Sequence, residues 1–157
     1  MKAAVVIASI VLFASPALAD DTAIRVSVLR HQFQTVLSSD GGLTVRPPGV
    51  TSGSPYVEAD VTTVLDIRPG DPGLLLAGAI RAGDAIVVAP VDPRYPISID
   101  GEQYRGSAIV QTSSDGSLDV INVVDLEHYL HGVVGSEMDS TWPAAALQAQ
   151  AIVARAE

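Results

Sequence analysis

The sequence contains no cysteine, and aromatic residues make up only 4% of its 157 residues. Without cysteine, the chain has neither disulfides nor thiolate zinc sites. Basic residues are also scarce: lysine occurs only at Lys2, and 9 Lys and Arg face 18 Asp and Glu, for a net charge of −9. Because this charge repels a phosphate backbone, nucleic acid is not an expected partner.

Apolar residues are abundant, at 48% of the chain. A chain of this length and composition suits one globular domain with a hydrophobic core. Neither a glycine-rich phosphate loop nor a nucleophile motif of the GxSxG type is present. His128 and His131 have the i, i+3 spacing of metal ligands, but the same spacing is typical of a polar helix face. The sequence therefore predicts no metal and no cofactor.

Residues 1–19 have the pattern of a secretory signal peptide. Lys2 is followed by an apolar run from Ala3 to Ala14, and Ala17-Leu18-Ala19 forms a small-x-small cleavage site before Asp20. The apolar run is shorter than the roughly 20 residues that span a bilayer. We therefore expect export to the periplasm, cell wall or extracellular space, with no stable membrane anchor after cleavage.

Period-2 alternation and turn residues predict a β-rich segment over residues 24–124. Clusters of Gly, Pro, Ser and Asp separate its strands, among them residues 52–55 and a hairpin turn at Ser113–Gly116. Residues 74–81 are ambiguous. The predicted strands are Ile24–Leu29, Val57–Ile67, Ala85–Val91, Ile97–Ile99, Ser107–Thr112 and Leu118–Val124.

After Val124 the apolar period changes to that of a helix. Asp125 is a suitable N-cap, and Gly135 is suited to the position just past the helix end. Pro143 suits the first turn of a second helix, so helices are predicted near 125–134 and 143–156. Residues 136–142, which we call the elbow, are expected to join them. The predicted fold class is α+β: a β-rich N-terminal scaffold followed by two helices flanking a Glu-bearing elbow.

The last forty residues carry an ordered set of apolar, small and charged positions around one acid. The set consists of Asn122, Leu126-Glu127, Tyr129-Leu130, Gly132-Val133-Val134, Glu137-Met138, Trp142-Pro143, Ala146-Leu147, Ala149-Gln150-Ala151 and Arg155. This pattern resembles the core of the sporulation stage II protein D and amidase-enhancer LytB family. Weaker matches are Ile24–Leu29 and Tyr104-Arg105-Gly106.

The resemblance implies a family domain over residues 20–157, with its strongest match over 104–155. Two differences stand out: Gln148 replaces the family's lysine, and Ala156-Glu157 replaces a Thr-Tyr pair. Family domains continue beyond this point, so we expect the domain to be incomplete at its C-terminus.

Family members are lytic transglycosylases that cut peptidoglycan glycan strands, or non-catalytic enhancers of wall amidases. The resemblance implies Glu137 as the catalytic acid. Such an acid must hold its proton near neutral pH, which favours a partly apolar setting. Met138, Trp142 and Val133-Val134 are the residues expected to supply that setting.

Substrate-binding roles are implied for Trp142, Gln150 and Arg155, and each has an alternative. Trp142 either stacks on a sugar or packs its helix against the core. Gln150 either binds sugar or satisfies buried backbone groups, and Arg155 is either a positioning residue or an exposed terminal arginine. Glu127 is the competing acid, with a structural role near the positive end of its helix as the alternative.

Two function classes are therefore predicted. The first is glycan-strand cleavage by a lytic-transglycosylase mechanism that uses one glutamate as general acid. The second is a non-catalytic peptidoglycan-binding or amidase-enhancing module. The expected partners are peptidoglycan glycan strands and, for the second class, a wall amidase.

Export generates the first testable prediction. The exported protein should begin at Asp20, and loss of Lys2 without any acid should change its net charge from −9 to −10. N-terminal sequencing of protein recovered outside the cytoplasm measures this directly. An exported protein that begins at Met1 would contradict the predicted cleavage.

Overall fold

The computed structural model describes residues 23–50, 57–59, 64–70, 73–139 and 141–156. The predicted leader and the turn at 52–55 lie outside these residues, as does Ser140 of the elbow. Strands precede two helices, α1 (Leu126–Glu137) and α2 (Ala144–Ala156), which confirms the predicted α+β class. Neither described helix is long and apolar enough to cross a membrane.

The strands are β1 (Ala23–Gln32), β2 (Thr35–Ser38), β3 (Leu43–Arg46), β4 (Val57–Ala59), β5 (Leu65–Pro69), β6 (Leu74–Leu76), β7 (Ile80–Ala82), β8 (Ala85–Pro90), β9 (Ile97–Ile99), β10 (Glu102–Tyr104), β11 (Ser107–Thr112) and β12 (Leu118–Asp125).

The described strands form two six-stranded antiparallel sheets. One has the order β1-β12-β11-β8-β3-β4, and the other has the order β10-β9-β2-β5-β6-β7. Buried residues of both sheets belong to one hydrophobic core, for example Val88 and Val120 from the first sheet and Leu37 and Leu65 from the second. The sheets therefore bury their apolar faces against each other.

Periodicity located most of the longer strands but not their partners. The predicted strand Val57–Ile67 is wrong as a single element, because β4 pairs with β3 in the first sheet and β5 pairs with β2 in the second. Alternation reports which face of a strand is buried and carries no information about the neighbouring strand. The short strands β2, β3, β6, β7 and β10 were not predicted, and two of them resolve the ambiguous segment 74–81.

Strand β12 links the scaffold to the helices. It pairs with β1 on one side and β11 on the other, and buried and half-buried residues alternate along it. The predicted hairpin turn before it is confirmed: the Gly116 N–H donates to the Ser113 carbonyl at 3.0 Å, and the Ser113 N–H donates to the Ser117 carbonyl at 2.8 Å. Since β12 runs directly into α1, its position fixes where α1 begins.

The bend between β10 and β11 lies directly against β12. Gly106 has a φ of +85°, and a Cβ at this position would overlap the carbonyl oxygen of Val123. Asn122, which is 5% exposed, donates its side-chain N–H groups to the carbonyls of Arg105 at 2.9 Å and Ser107 at 3.0 Å. The bend is thus held by two hydrogen bonds and by a contact that only glycine permits.

Two glycines with nearly equal φ provide a matched stability test. Gly106→Ala should destabilise by about 1–2 kcal/mol for the positive φ and by a further 1–3 kcal/mol for the steric overlap. Gly116 has a φ of +80° with open space around it, so Gly116→Ala should cost only the first amount. Urea denaturation of both variants measures the difference, and equal losses would contradict the close packing of Gly106 on β12.

Candidate functional site

The first turn of α1 is fixed by Asp125. Its carboxylate accepts the backbone N–H groups of Glu127 at 2.9 Å and His128 at 3.3 Å, and its extended backbone, with φ −60° and ψ 138°, is typical of an N-cap. The predicted cap is confirmed. Glu127 lies in the first turn, where a negative charge interacts favourably with the helix dipole.

The predicted end of α1 at Gly135 is wrong. The helix continues through Gly135 to Glu137, and Met138 follows in an extended conformation while its N–H donates to the Val134 carbonyl at 3.0 Å. A glycine inside a helix costs only about 1 kcal/mol relative to alanine, so one glycine does not stop a helix that continues to form hydrogen bonds. Glu137 is therefore the last residue of α1 and not, as predicted, a residue of the elbow.

The described part of the elbow is a tight turn built on Asp139. Its carboxylate accepts the Thr141 N–H at 2.9 Å, its carbonyl accepts the Trp142 N–H at 3.0 Å, and the hydrogen bonds to Thr141 lower the pKa of Asp139. The Pro143 carbonyl then accepts the Ala146 N–H at 2.8 Å, which begins α2 one residue after Pro143, close to the predicted start. Asp139 thus fixes the turn that leads into α2.

Two side-chain pairs join α1 to α2. They include three of the four predicted site residues, which are Glu137, Gln150 and Arg155, and the competing acid Glu127. The Gln150 amide donates to the Glu137 carboxylate, and the Arg155 guanidinium forms an ion pair with Glu127. Gln150 thus contacts the predicted acid directly. Arg155 contacts the competing acid, and both partners of that pair are more than half exposed.

Glu137 lies in a more open setting than its predicted role required. Its side chain is exposed, and Met138 is only partly buried. Trp142 is 55% exposed, so its ring does not pack its helix into the core as the structural alternative proposed. Among the described residues, the apolar enclosure expected around Glu137 is therefore not present. What the site offers is a carboxylate held by an amide on an accessible surface.

A groove of about 410 Å³ runs between the two helices. Its walls are mainly apolar, and Glu127 and Arg155 lie among its lining residues. Glu137, Gln150 and Trp142 are not among the described residues that line this groove. The helix pair therefore presents two separate features: an apolar groove at the Glu127–Arg155 pair, and an exposed Glu137–Gln150 pair outside it.

The buried Asn122 was not among the predicted site residues. Asn122 stands in an otherwise apolar strand, and its amide interacts with the bend that carries Arg105. An asparagine among valines in a buried strand is the signal that pointed to it, because a buried polar side chain needs defined partners.

Comparison with known proteins supports the family resemblance at the end of the chain. Residues 114–157 match the family model described as SpoIID, stage II sporulation protein. An uncharacterized protein of Brachyspira hyodysenteriae (strain ATCC 49526 / WA1) is 38% identical over 58 residues, which are 37% of this chain and 16% of that protein. The chain therefore corresponds to a small part of this relative. No solved structure matches the chain significantly.

The accessibility of the elbow generates a prediction. Trp142 is the only tryptophan in the sequence and is 55% exposed, so its emission should be red-shifted and acrylamide should quench it nearly as well in the folded protein as in urea. A Trp142→Phe variant provides the blank. A blue-shifted emission that acrylamide quenches poorly would show that the ring is buried and would contradict an exposed Trp142.

Proposed function

We propose that the helix pair cleaves peptidoglycan glycan strands. The premise is the match of residues 114–157 to the stage II sporulation protein family, which supports a role related to sporulation and the cell wall. In this proposal Glu137 is the general acid. The observation that carries it is the Gln150 amide, which holds the Glu137 carboxyl in one orientation on an exposed surface that a polymer can reach.

The chemistry needs only one carboxyl group. Glu137 gives its proton to the glycosidic oxygen as the bond from that oxygen to the sugar C1 breaks. The C6 hydroxyl of the same sugar attacks C1 and closes a 1,6-anhydro ring, and its proton returns to Glu137. Since no water is consumed, the second carboxylate that ordinary glycosidases use to activate water or attack the sugar is not required.

The bound glycan would supply the enclosure that the exposed carboxyl lacks. Trp142 offers an accessible aromatic face for the apolar side of a sugar ring. A strand that lies over Trp142 and Glu137 would remove water from the carboxyl, and removal of water disfavours the charged form. Gln150 would then position the acid and Trp142 would bind the substrate.

A non-catalytic wall-binding or amidase-enhancing module is the second candidate. The observation that favours it is the pairing of Arg155 with Glu127, since this arginine does not contact Glu137.

Substitution of the two acids of α1 separates these functions. Glu137→Gln keeps the shape of the side chain and removes the transferable proton, so release of anhydro-ended fragments from peptide-stripped peptidoglycan should fall by about 10² to 10⁴ while sacculus binding is retained. Glu127→Gln, an exposed acid on the same helix, is the matched control and should retain release.

Mass spectrometry distinguishes the anhydro product from the reducing end of hydrolysis. Activity that survives Glu137→Gln, or that is lost in Glu127→Gln instead, would contradict the assignment of the acid. A wild-type protein that releases no fragments yet sediments with sacculi would overturn the enzyme and support the binding module.

A further inference from the structure

A second cavity, which we call the Asn122 cleft, has a volume of about 510 Å³ and lies between α1 and strands β1, β10 and β12. Val26, Val28 and Val124 form an apolar part of its lining. Polar side chains from three elements line the rest, including Tyr104, Asn122 and Tyr129. Glu137 does not line this cleft among the described residues, so the cleft is distinct from the acid site of the proposed function.

Asn122 presents a fixed acceptor to this cleft. Both of its amide hydrogen bonds go to carbonyl oxygens, those of Arg105 and Ser107, so the NH₂ group must face the bend. No described residue donates a hydrogen bond to Oδ1 of Asn122. Since every fully buried side-chain oxygen or nitrogen of the described residues has a hydrogen-bond partner, Oδ1 is not fully buried and is open to solvent. Oδ1 of this residue, which is 5% exposed, is therefore left to accept a donor from the cleft.

The remaining polar groups favour a sugar that carries a negative charge. Tyr104 and Tyr129 supply aromatic rings, and burial, with a smaller contribution from Glu102, raises the pKa of Tyr104 and keeps its hydroxyl neutral. Arg105 supplies a guanidinium, and no ion pair to it is found in the described part of the chain. No Asp or Glu is among the described lining residues, although the chain has a net charge of −9.

We propose that the Asn122 cleft binds a saccharide bearing a carboxylate. A hydroxyl or amide N–H of the sugar donates to Oδ1 of Asn122, the ring lies against Tyr104 or Tyr129, and the carboxylate pairs with Arg105. The cleft alone points to an acidic sugar, and the choice of a wall sugar acid rests on the proposed function. On that basis, the cleft holds an N-acetylmuramic acid unit of the glycan.

A comparison of two commercially available sugars measures the contribution of the carboxylate to binding. N-acetylmuramic acid is N-acetylglucosamine with an added lactyl ether, which brings the acid group. The wild-type protein should bind N-acetylmuramic acid about tenfold more tightly at low salt, as one charge-assisted hydrogen bond provides, and titration calorimetry measures both affinities. Equal affinities for the two sugars, or no binding of either, would overturn the proposal.

Substitution of two arginines tests whether Arg105 causes the preference for N-acetylmuramic acid over N-acetylglucosamine. Arg105→Gln should abolish the tenfold preference and leave N-acetylglucosamine binding unchanged, because the side chain is exposed and the backbone carbonyl that Asn122 binds is retained. Arg30→Gln removes an exposed arginine of β1 that does not line the cleft and should change nothing. Circular dichroism checks that both variants are folded, and a preference that survives Arg105→Gln would overturn the assignment.

The acid variant distinguishes failure of this proposal from failure of the proposed function. Glu137→Gln should keep the wild-type preference for N-acetylmuramic acid, whether or not it loses glycan release. A preference that is present while no release occurs overturns the enzyme and supports the cleft. Release that depends on Glu137 without any preference overturns the cleft and leaves the enzyme in place.

Discussion

The hydrogen bonds from the buried Asn122 amide hold together the parts of the molecule on which the site depends. They join β12 to the bend at Gly106, and that bend connects a strand of one sheet to a strand of the other. Loss of the amide would remove both hydrogen bonds, at about 0.5–1.5 kcal/mol each. Since β12 also leads through Asp125 into α1, the same residue sets the position of the helix pair relative to the sheets.

Helix α1 consequently has a different surface on each side. One side faces α2, where the Glu127–Arg155 and Glu137–Gln150 pairs connect the two helices. The other side, with Tyr129, faces the cleft above Asn122. In our proposal these two surfaces act on one polymer: the cleft binds a charged sugar unit, and the exposed end of α1 supplies the proton.

The sequence predicted elements well where a side-chain period decides them, as for Ser107–Thr112 and for the Asp125 cap, because burial on one face imposes that period. Pairing between distant strands leaves no local pattern, so the split of Val57–Ile67 between two sheets was missed. The end of α1 was missed because Gly135 permits a stop without requiring one. The contact between Glu137 and Gln150 depends on how α1 packs against α2, and the sequence pattern of one helix does not predict that packing.

In our proposal the glycan contacts both surfaces of α1, and amide chemical-shift mapping tests this contact most directly. In a titration of ¹⁵N-labelled protein with soluble, peptide-free glycan strands, we expect shifts along residues 126–137, at the Asn122 side-chain amide and at the Trp142 indole N–H. Shifts confined to β5, β6 and β7, which belong to the sheet that does not contain β12, would contradict glycan contact at α1, as would an unchanged spectrum.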